Sequence, residues 1–345
     1  MGILLNVVNK NIGHPSIDLR HCVNRNQRHL SCSACAEICP KRVYDREQKE
    51  PPKWDECQNC GLCVSACHAR CIAPSPANAK RHLLLAEKKD AALLSCLRSS
   101  FGAGHKEECL ALIPWEFMAY LALGEGLVLD LSACGECEHG ECIALLEEQL
   151  TALRRFLGEE AFEKSVTLAF DEVPVVKENG IGRRDFFKVI ARGGRQAGAL
   201  VINDAVGGTV DAMIYRRMLA QRVRELSAQD ASFACGMQIP WPDEKTCYGC
   251  GICGLLCPNG AIEIGEEEGG KRHIYITPMK CTSCGVCAAV CREGCIHELS
   301  AVRVHSLDRT ILCEVESASC ERCGRAISPK KSEKLCTACK YIKRK

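Results

Sequence analysis

Apolar and polar positions alternate in the middle of the chain in a way that predicts both strands and helices. Three short apolar runs predict buried strands: Ala91–Cys96, Gly126–Leu131 and Ser165–Phe170. Two longer stretches predict helices, each followed by a glycine stop: Trp115–Leu123 before Gly124, and Ile143–Leu157 before Gly158. Strands that alternate with helices indicate a small α/β layer across residues 81–176.

Residues 177–240 predict two helices instead. One begins in the stretch Gly180–Lys188, and the other begins near residue 208, with three apolar residues on one face: Val210, Ile214 and Met218. The paired arginines of the first stretch resemble a twin-arginine export motif, but such signals act at an N-terminus, so we interpret the stretch as the start of a helix. We expect these helices to pack on this protein as a spacer, to bridge its neighbouring regions or to dock a partner.

The 29 cysteines of the chain change this picture, because most of them stand in the spacing of metal ligands. Disulfides are disfavoured, since Met1–Lys10 lacks the basic region and long apolar core of a secretory signal. No apolar run reaches the roughly 18–20 residues of a membrane helix. We therefore expect a cytoplasmic protein whose cysteines bind metals. The net charge of +2 gives no electrostatic case for nucleic acid or an anionic membrane as a partner.

Two consecutive cysteine motifs of one type stand in residues 247–296. The first motif contains Cys247, Cys250, Cys253 and Cys257, and the second contains Cys281, Cys284, Cys287 and Cys291. Both have the spacing C-x2-C-x2-C-x3-C, in which three cysteines bind one 4Fe–4S cluster and the fourth reaches its neighbour. Thiolates are soft, charged donors that suit iron, so this region predicts two 4Fe–4S clusters.

The same pair of motifs recurs, with one departure, in residues 22–72. One motif is complete and contains Cys57, Cys60, Cys63 and Cys67. Its partner contains Cys32, Cys35 and Cys39, but His29 stands where the alignment of the two regions requires a cysteine. We expect Cys22 to take that place. The alternative ligand is His29, because imidazole can replace thiolate at iron.

On these motifs, residues 17–76 and 243–300 each resemble the two-cluster bacterial ferredoxins. The resemblance implies crossed ligation at four 4Fe–4S sites, which we name A to D. The ligands of site A would be Cys22, Cys32, Cys35 and Cys67. Those of site B would be Cys39, Cys57, Cys60 and Cys63. Those of site C would be Cys247, Cys250, Cys253 and Cys291. Those of site D would be Cys257, Cys281, Cys284 and Cys287.

The α/β layer carries five further cysteines at predicted strand ends and helix starts, where backbone N–H groups favour thiolates: Cys96, Cys109, Cys134, Cys137 and Cys142. The layer resembles the delta subunit of methyl-viologen-reducing hydrogenases, which passes electrons to heterodisulfide-reductase-type or formate-dehydrogenase-type partners. That resemblance implies a 2Fe–2S cluster with Cys134 spare and the other four cysteines as ligands. A 4Fe–4S cluster and a layer without a cluster are the alternatives.

The tail carries two C-x2-C pairs in the spacing of a four-thiolate zinc site: Cys320, Cys323, Cys336 and Cys339. One Zn²⁺ would fold this segment, which has no apolar core of its own. Rubredoxin-type iron is the alternative metal. We interpret the basic end, residues 340–345, as a solvated terminus rather than a nucleic-acid contact.

Five cysteines remain outside these ligand sets: Cys71, Cys134, Cys235, Cys295 and Cys313. Cys71 and Cys295 occupy the same place in the two regions, where we expect small buried side chains. The sequence contains no G-x-G-x-x-G after a predicted strand, no G-x-x-x-x-G-K-[ST] and no radical-SAM C-x3-C-x2-C. Nothing therefore indicates a bound nucleotide or flavin, and we identify no catalytic residue.

The predicted fold is an α+β chain of several domains. In order, these are a ferredoxin-like domain (1–80), the α/β layer (81–176), a helical linker (177–240), a second ferredoxin-like domain (241–312) and a zinc-ribbon-like tail (313–345). We expect an electron-transfer subunit of a hetero-oligomeric redox complex in an anaerobic or facultative host. By resemblance, the catalytic partner would be a molybdenum or tungsten enzyme such as formate dehydrogenase, a nickel–iron hydrogenase or a heterodisulfide-reductase-like module, and a soluble ferredoxin is a further partner. The alternatives are a stand-alone reductase that works at the middle cluster, and a cluster carrier or regulator.

Overall fold

The computed structural model describes residues 13–26, 31–45, 50–88, 90–99, 104–171, 210–266, 271–296, 299–329 and 334–341. The chain forms a mixed α/β structure with several small sheets. His29 and the stretch Gly180–Lys188, which carry two of the predictions above, lie outside the described residues. No helix in the described ranges combines the length and the apolar content needed to cross a membrane.

The first cysteine region is bracketed by a pair of antiparallel two-residue strands, Ser16–Ile17 and Ile72–Ala73. The described residues between them form four short helical turns: Val23–Asn26, Ala34–Glu37, the 3-10 turn Trp54–Glu56 and Leu62–Ala66. Helix Pro76–Ala86 follows, and its start is encoded locally. Ser75 accepts a hydrogen bond from the Asn78 N–H at 3.2 Å, and Pro76 occupies the first turn, where its missing N–H has no partner to lose.

The predicted α/β layer is a four-stranded parallel sheet. Its strands, in spatial order, are His105–Glu107, Ala92–Cys96, Leu127–Asp130 and Val166–Ala169. Three of them match the apolar runs of the sequence; the short strand His105–Glu107 has no such pattern. Leu94 and Leu129 are fully buried at the centre of the sheet, and each such side chain contributes about 1.5–3 kcal/mol to folding.

Helices cover this sheet. They are the 3-10 turn Leu110–Leu112 and the α-helices Trp115–Ala122, Gly140–Leu157 and Glu159–Ser165. Phe117, Leu153 and Phe156 are buried on the sides of these helices that pack into the core. Gly158 separates the last two helices with a φ of +83°, a conformation that a side chain would strain. The glycine stop predicted at this position is confirmed.

Helix Ile214–Gln229 follows the layer. The predicted start near residue 208 is wrong: Val210 precedes the helix, because Asp211 Oδ1 accepts from the Met213 N–H at 3.0 Å and closes a turn before the first helical residue. Ile214 and Met218 are buried as the apolar stripe predicts. Strand Cys235–Pro240 comes next, in a stretch predicted to be helical, and pairs antiparallel with Leu299–Val304.

The second cysteine region contains the short helices Ile252–Leu255 and Val286–Val290. An antiparallel sheet flanks them, with strand order Thr310–Glu316, Lys271–Ile276 and Ile262–Glu266. One buried core runs through both cysteine regions and the α/β layer. The tail has a separate small core around Cys320, Cys336 and Cys339, and its elements are Ala318–Ser319, Ala326–Ile327 and Thr337–Tyr341.

Candidate metal centres

Three of the four cysteine motifs share one backbone turn. The glycine after the second cysteine lies in the left-handed region in each: Gly61, Gly251 and Gly285, with φ of 89°, 80° and 75°. Each of these glycines precedes a short helix. The motif that contains Cys32 and Cys35 departs, since Ser33 stands at the glycine position with a φ of −119°. The motif that lacks a cysteine in sequence therefore also has a different turn.

All four motifs share a backbone N–H···S hydrogen bond. The N–H four residues after the last cysteine donates to that cysteine's sulfur, as follows: Val43 to Cys39 at 3.4 Å, Cys71 to Cys67 at 3.3 Å, Ala261 to Cys257 at 3.2 Å, and Cys295 to Cys291 at 3.3 Å. Such bonds stabilise a thiolate and tune a cluster that it binds. The irregular motif keeps this feature although it has lost the glycine turn.

The four cysteines assigned to site A line one cavity of about 460 Å³. Burial, together with the neighbouring charges of Cys67, Cys32 and Cys22, raises the pKa of the Cys35 thiol to about 12. Cys67 belongs to the other motif, so the structure brings the crossing cysteine to the place that the resemblance implies. Cys22 also reaches the cavity, from the turn before helix Val23–Asn26.

The cysteines assigned to site B line a narrow cavity of their own. Burial raises the pKa of Cys57 and of Cys60, and the charge of the crossing Cys39 raises both further. The Tyr44 hydroxyl donates to the Cys63 sulfur at 3.3 Å. Tyr44 was not predicted from sequence, because nothing in the local pattern marks a tyrosine that reaches a cysteine nineteen residues away.

The second region repeats this arrangement. At site D, the pKa of Cys281 is raised to about 11, chiefly by burial and in part by the charge of the crossing Cys257. At site C, burial raises the pKa of Cys253 to about 11, with added effects from Cys250 and the crossing Cys291. The site C cysteines line a cavity of about 590 Å³.

The donor chemistry of these sites fits iron–sulfur clusters. Each site gathers four thiols, and burial raises the pKa of several of them, including Cys35, Cys63 and Cys287. A bound cluster would take them as thiolates and release the protons. Among the described residues, these sets are too open to hold a single ion in the way the tail does, because their sulfurs do not all lie within 4.8 Å of one another.

Each region places a fifth cysteine against one site. The Cys71 sulfur lies 3.4 Å from the Cys67 sulfur, and its hydrogen bond lowers the pKa of Cys67 despite burial. Cys295 occupies the same place in the second region, with its N–H bonded to Cys291. Both side chains are buried, as predicted, but both contact a candidate ligand, a role the sequence had not shown.

The five cysteines of the α/β layer gather at the carboxyl ends of its parallel strands. Cys96 ends one strand, and Cys142 lies in the first turn of helix Gly140–Leu157. Burial, together with the charges of Cys96, Cys109 and Cys137, raises the pKa of Cys134 to about 11. Carboxyl ends of parallel strands are where α/β sheets bind ligands. The structure brings Cys134 into this group with the four predicted ligands.

The tail cysteines form a compact tetrad. Their four sulfurs all lie within 4.8 Å of one another, and the sulfurs of Cys323 and Cys336 are 3.7 Å apart. A tetrahedron with Zn–S bonds of about 2.3 Å has edges of about 3.8 Å. The Cys336 N–H donates to the Cys320 sulfur at 3.3 Å and lowers the pKa of Cys320. The tetrad fits one metal ion.

Neighbouring groups contact one another in a row. The α/β layer meets site B, where the charge of Glu108 adds to the burial that raises the pKa of Cys60. Sites B and A share the first region. Ser283 and Cys284 of the second region line the site A cavity, and the Asn259 side chain donates to the Ala69 carbonyl at 3.1 Å. Site C lies next to site D in the second region, and Cys336 of the tail lines the site C cavity.

A model of the 4Fe-4S dicluster domain family matches residues 246–295. The match covers both motifs of the second region and shows an iron–sulfur domain there. No curated protein and no solved structure gives a significant match to the chain.

Proposed function

We propose that this protein is an electron-transfer subunit that holds a row of iron–sulfur clusters and serves a separate catalytic subunit. The observation that carries the proposal is the unbroken sequence of cysteine groups: the α/β layer, site B, site A, site D, site C and the tail. An iron–sulfur domain at residues 246–295 fits an electron-transfer role. When bound, such clusters accept and donate single electrons.

In this proposal sites A to D each hold a 4Fe–4S cluster with the crossed ligand sets given above. The cluster in the layer is bound by Cys96, Cys109, Cys137 and Cys142, as the resemblance to the hydrogenase delta subunit implies. A 2Fe–2S cluster is the preferred type; Cys134 is close enough to take part in a 4Fe–4S cluster instead. The tail tetrad holds Zn²⁺ and has a structural role.

The protein's own residues would fix and tune these clusters. Backbone N–H groups donate to the sulfurs of the last cysteines, and the Tyr44 hydroxyl donates to Cys63. Burial excludes water from Cys63, Cys67 and Cys287, which influences the potential of a bound cluster. The N–H and O–H donors favour the more negative, reduced state.

The partner would hold the active site. By the resemblance already stated, we propose a molybdenum or tungsten enzyme such as formate dehydrogenase, a nickel–iron hydrogenase or a heterodisulfide-reductase-like module. The experiment is anaerobic purification of the tagged chain from its native host, with mass spectrometry and metal analysis of everything retained. We expect one stoichiometric catalytic subunit, either one that contains molybdenum, tungsten or nickel or a heterodisulfide-reductase-like protein. Recovery of the chain alone, fully loaded with iron, would contradict the subunit role.

The stand-alone reductase can be separated from this proposal at Cys134. Replacing Cys134 with Ala leaves four cysteines in the layer, so electron transfer to the partner should continue. Loss of substrate turnover by the chain itself, with the iron content unchanged, would favour chemistry at the layer. Cys235→Ala is the matched control, because Cys235 is a buried strand residue whose sulfur donates to the Val304 carbonyl and which belongs to none of the proposed ligand sets.

A further inference from the structure

A polar cavity of about 430 Å³ lies where the two cysteine regions meet helix Gly140–Leu157. Ser65 and His68 reach it from the first region, Thr282 and Ser283 from the second, and Gln149 from the helix. None of the proposed cluster ligands lines this cavity. It shares His68 and Ser283 with the site A cavity, but every proposed cluster ligand lies outside its lining.

Two buried arginines give the cavity wall its charge. Arg70 forms a two-pronged pair with Glu116, with Nε–Oε1 and Nη2–Oε2 distances of 2.9 and 2.8 Å. Arg216 Nε lies 3.3 Å from the same carboxylate. All three side chains are at least nine-tenths buried, and both arginines line the cavity. The triad therefore carries one positive charge in excess.

The arginines are held in place by backbone oxygens. Arg70 Nη1 donates to the carbonyls of the first region, at 2.9 Å for Ser65 and 3.1 Å for Cys67. Arg216 Nη1 donates to carbonyls of the second region, including those of Pro278 and Cys281. Carbonyl dipoles hold the guanidinium groups without neutralising them. A buried cation in excess is expensive to desolvate unless an anion accompanies it.

The Ser65 hydroxyl gives independent support for a ligand in this cavity. Ser65 is 2 % exposed, and its Oγ has no hydrogen-bond partner among the described residues. A buried hydroxyl left unpaired is unfavourable by about 1–3 kcal/mol. Because Ser65 lines the cavity, a ligand there would supply the missing partner.

We propose that this cavity binds a small oxyanion, a carboxylate or a phosphate. The excess positive charge of the triad selects an anion over a cation, and the Ser65 hydroxyl and the guanidinium groups are the donors that an oxyanion accepts from. Arg155 adds a further cation at the exposed rim, whereas Glu148 at the rim lies 3.5 Å from His68. The bound anion would touch loops of both cysteine regions.

The test is calorimetric titration of the anaerobically purified, metal-loaded full chain in a buffer free of other oxyanions. Inorganic phosphate and acetate are titrated separately, so that the two arms distinguish a phosphate site from a carboxylate site. We expect saturable one-to-one binding of at least one of them. Ser65→Ala should weaken it about tenfold, the loss of one hydrogen bond to a charged group.

Ser65→Ala should fold normally, because the hydroxyl it removes has no partner; its melting temperature without anion should be equal to or above that of the parent. The matched control is Ser328→Ala, which lines the site C cavity instead and should bind the anion unchanged. Arg155→Gln should weaken binding less than Ser65→Ala. Absence of saturable binding in both arms, or equal binding by parent and Ser65→Ala, would overturn the proposal.

Discussion

The two cysteine regions carry related cysteine motifs but assemble their candidate sites in different ways. In the second region, both motifs use a left-handed glycine, and all ligand cysteines stand in two short loops. In the first region, one motif has Ser33 in place of that glycine, and Cys22 comes to the site from outside the loop. Four thiols can thus be gathered around one cavity after one loop has lost both its glycine turn and its first cysteine.

The two regions also share two backbone features at the end of each motif. The N–H···S bond to the last cysteine is present in all four motifs, with distances from 3.2 to 3.4 Å. The residue three positions after that cysteine is left-handed each time: Arg42, Arg70, Gly260 and Gly294. The part of the motif that carries the crossing cysteine is therefore the part that both regions keep.

The largest expected effect tests this crossing in the second region. Cys257→Ala and Cys284→Ala should each remove up to about four irons. Because crossed ligation places both cysteines at site D, the double variant should lose no more iron than either single one. Cys257→Ala combined with Cys250→Ala should lose about twice as much, since Cys250 belongs to site C.

Iron analysis of the anaerobically purified variants gives the answer, with Cys235→Ala as the control that should keep all its iron. Crossing would be refuted by the opposite pattern, in which the pair Cys257 and Cys250 loses one cluster and the pair Cys257 and Cys284 loses two.

The irregular motif is tested next, by comparing Cys22→Ala with Cys247→Ala. If Cys22 replaces the missing cysteine, both variants should lose the same amount of iron, up to about four atoms, or show a three-iron signal in electron paramagnetic resonance. His29→Ala is the matched control and should keep its iron. If the Cys22→Ala variant kept all of its iron, Cys22 would not be a ligand of site A, and His29 or Cys71 would be favoured instead.

A smaller effect, on thermal stability, is expected from the ion pairs that anchor the two regions. Helix Pro76–Ala86, after the first region, is held to the layer through buried Glu107, which contacts Arg81 at 2.5 Å and His82 at 3.3 Å. Removing one partner of a buried ion pair lowers the free energy of unfolding by about 3–5 kcal/mol. Glu107→Gln should therefore lower the apparent melting temperature at pH 7 by roughly 10 °C.

The pH dependence of this effect has a definite sign. Burial alone would raise the pKa of Glu107, but hydrogen bonds from His105 and His82 overcome it and lower the pKa to about 2 from 4.5. The contribution of the carboxylate is complete above about pH 4.5 and is lost as the pH falls towards 2. Thermal melts at pH 7 and pH 4 should show a smaller gap between parent and Glu107→Gln at the lower pH. An equal gap at both would contradict the ion-pair explanation.

The smallest effect belongs to the anchor of the second region. Arg224 pairs with Asp308 at 2.7 Å, and both side chains are about half exposed. The hydrogen bond from Arg224 lowers the pKa of Asp308. Exposed pairs contribute about 0–1 kcal/mol, so Arg224→Ala should change the melting temperature by a few degrees at most, and salt should erase the difference. If Arg224→Ala lowered the melting temperature as much as Glu107→Gln, the difference in exposure between the two ion pairs would not explain their contributions to stability.

Local patterns predicted the local parts of this structure. The strand Leu127–Asp130 and helix Gly140–Leu157 follow from apolar runs and glycine stops. The tail tetrad was predicted from two C-x2-C pairs, because each pair places two sulfurs on one turn and the structure brings the two pairs together. The pairing of Cys235–Pro240 with Leu299–Val304 joins segments some sixty residues apart, so no local pattern announces it.

The contacts between regions could not be predicted either, because they also join segments that are far apart in the sequence. No sequence pattern marks Arg70, Glu116 or Arg216. They form one buried triad because three separate segments of the chain pack together there. Asn259 follows Pro258 in a cluster loop, and only the fold shows that its side chain reaches the Ala69 carbonyl.

The most direct test of the central claim, that both cysteine regions hold two clusters, is an anaerobic count of iron, sulfide and zinc per chain. The account predicts about 18 irons with a 2Fe–2S cluster in the layer, or about 20 with a 4Fe–4S cluster there, together with about one zinc. A count near 10 irons or below would mean that one of the two regions is empty, and the row of cysteine groups would then not be a row of clusters.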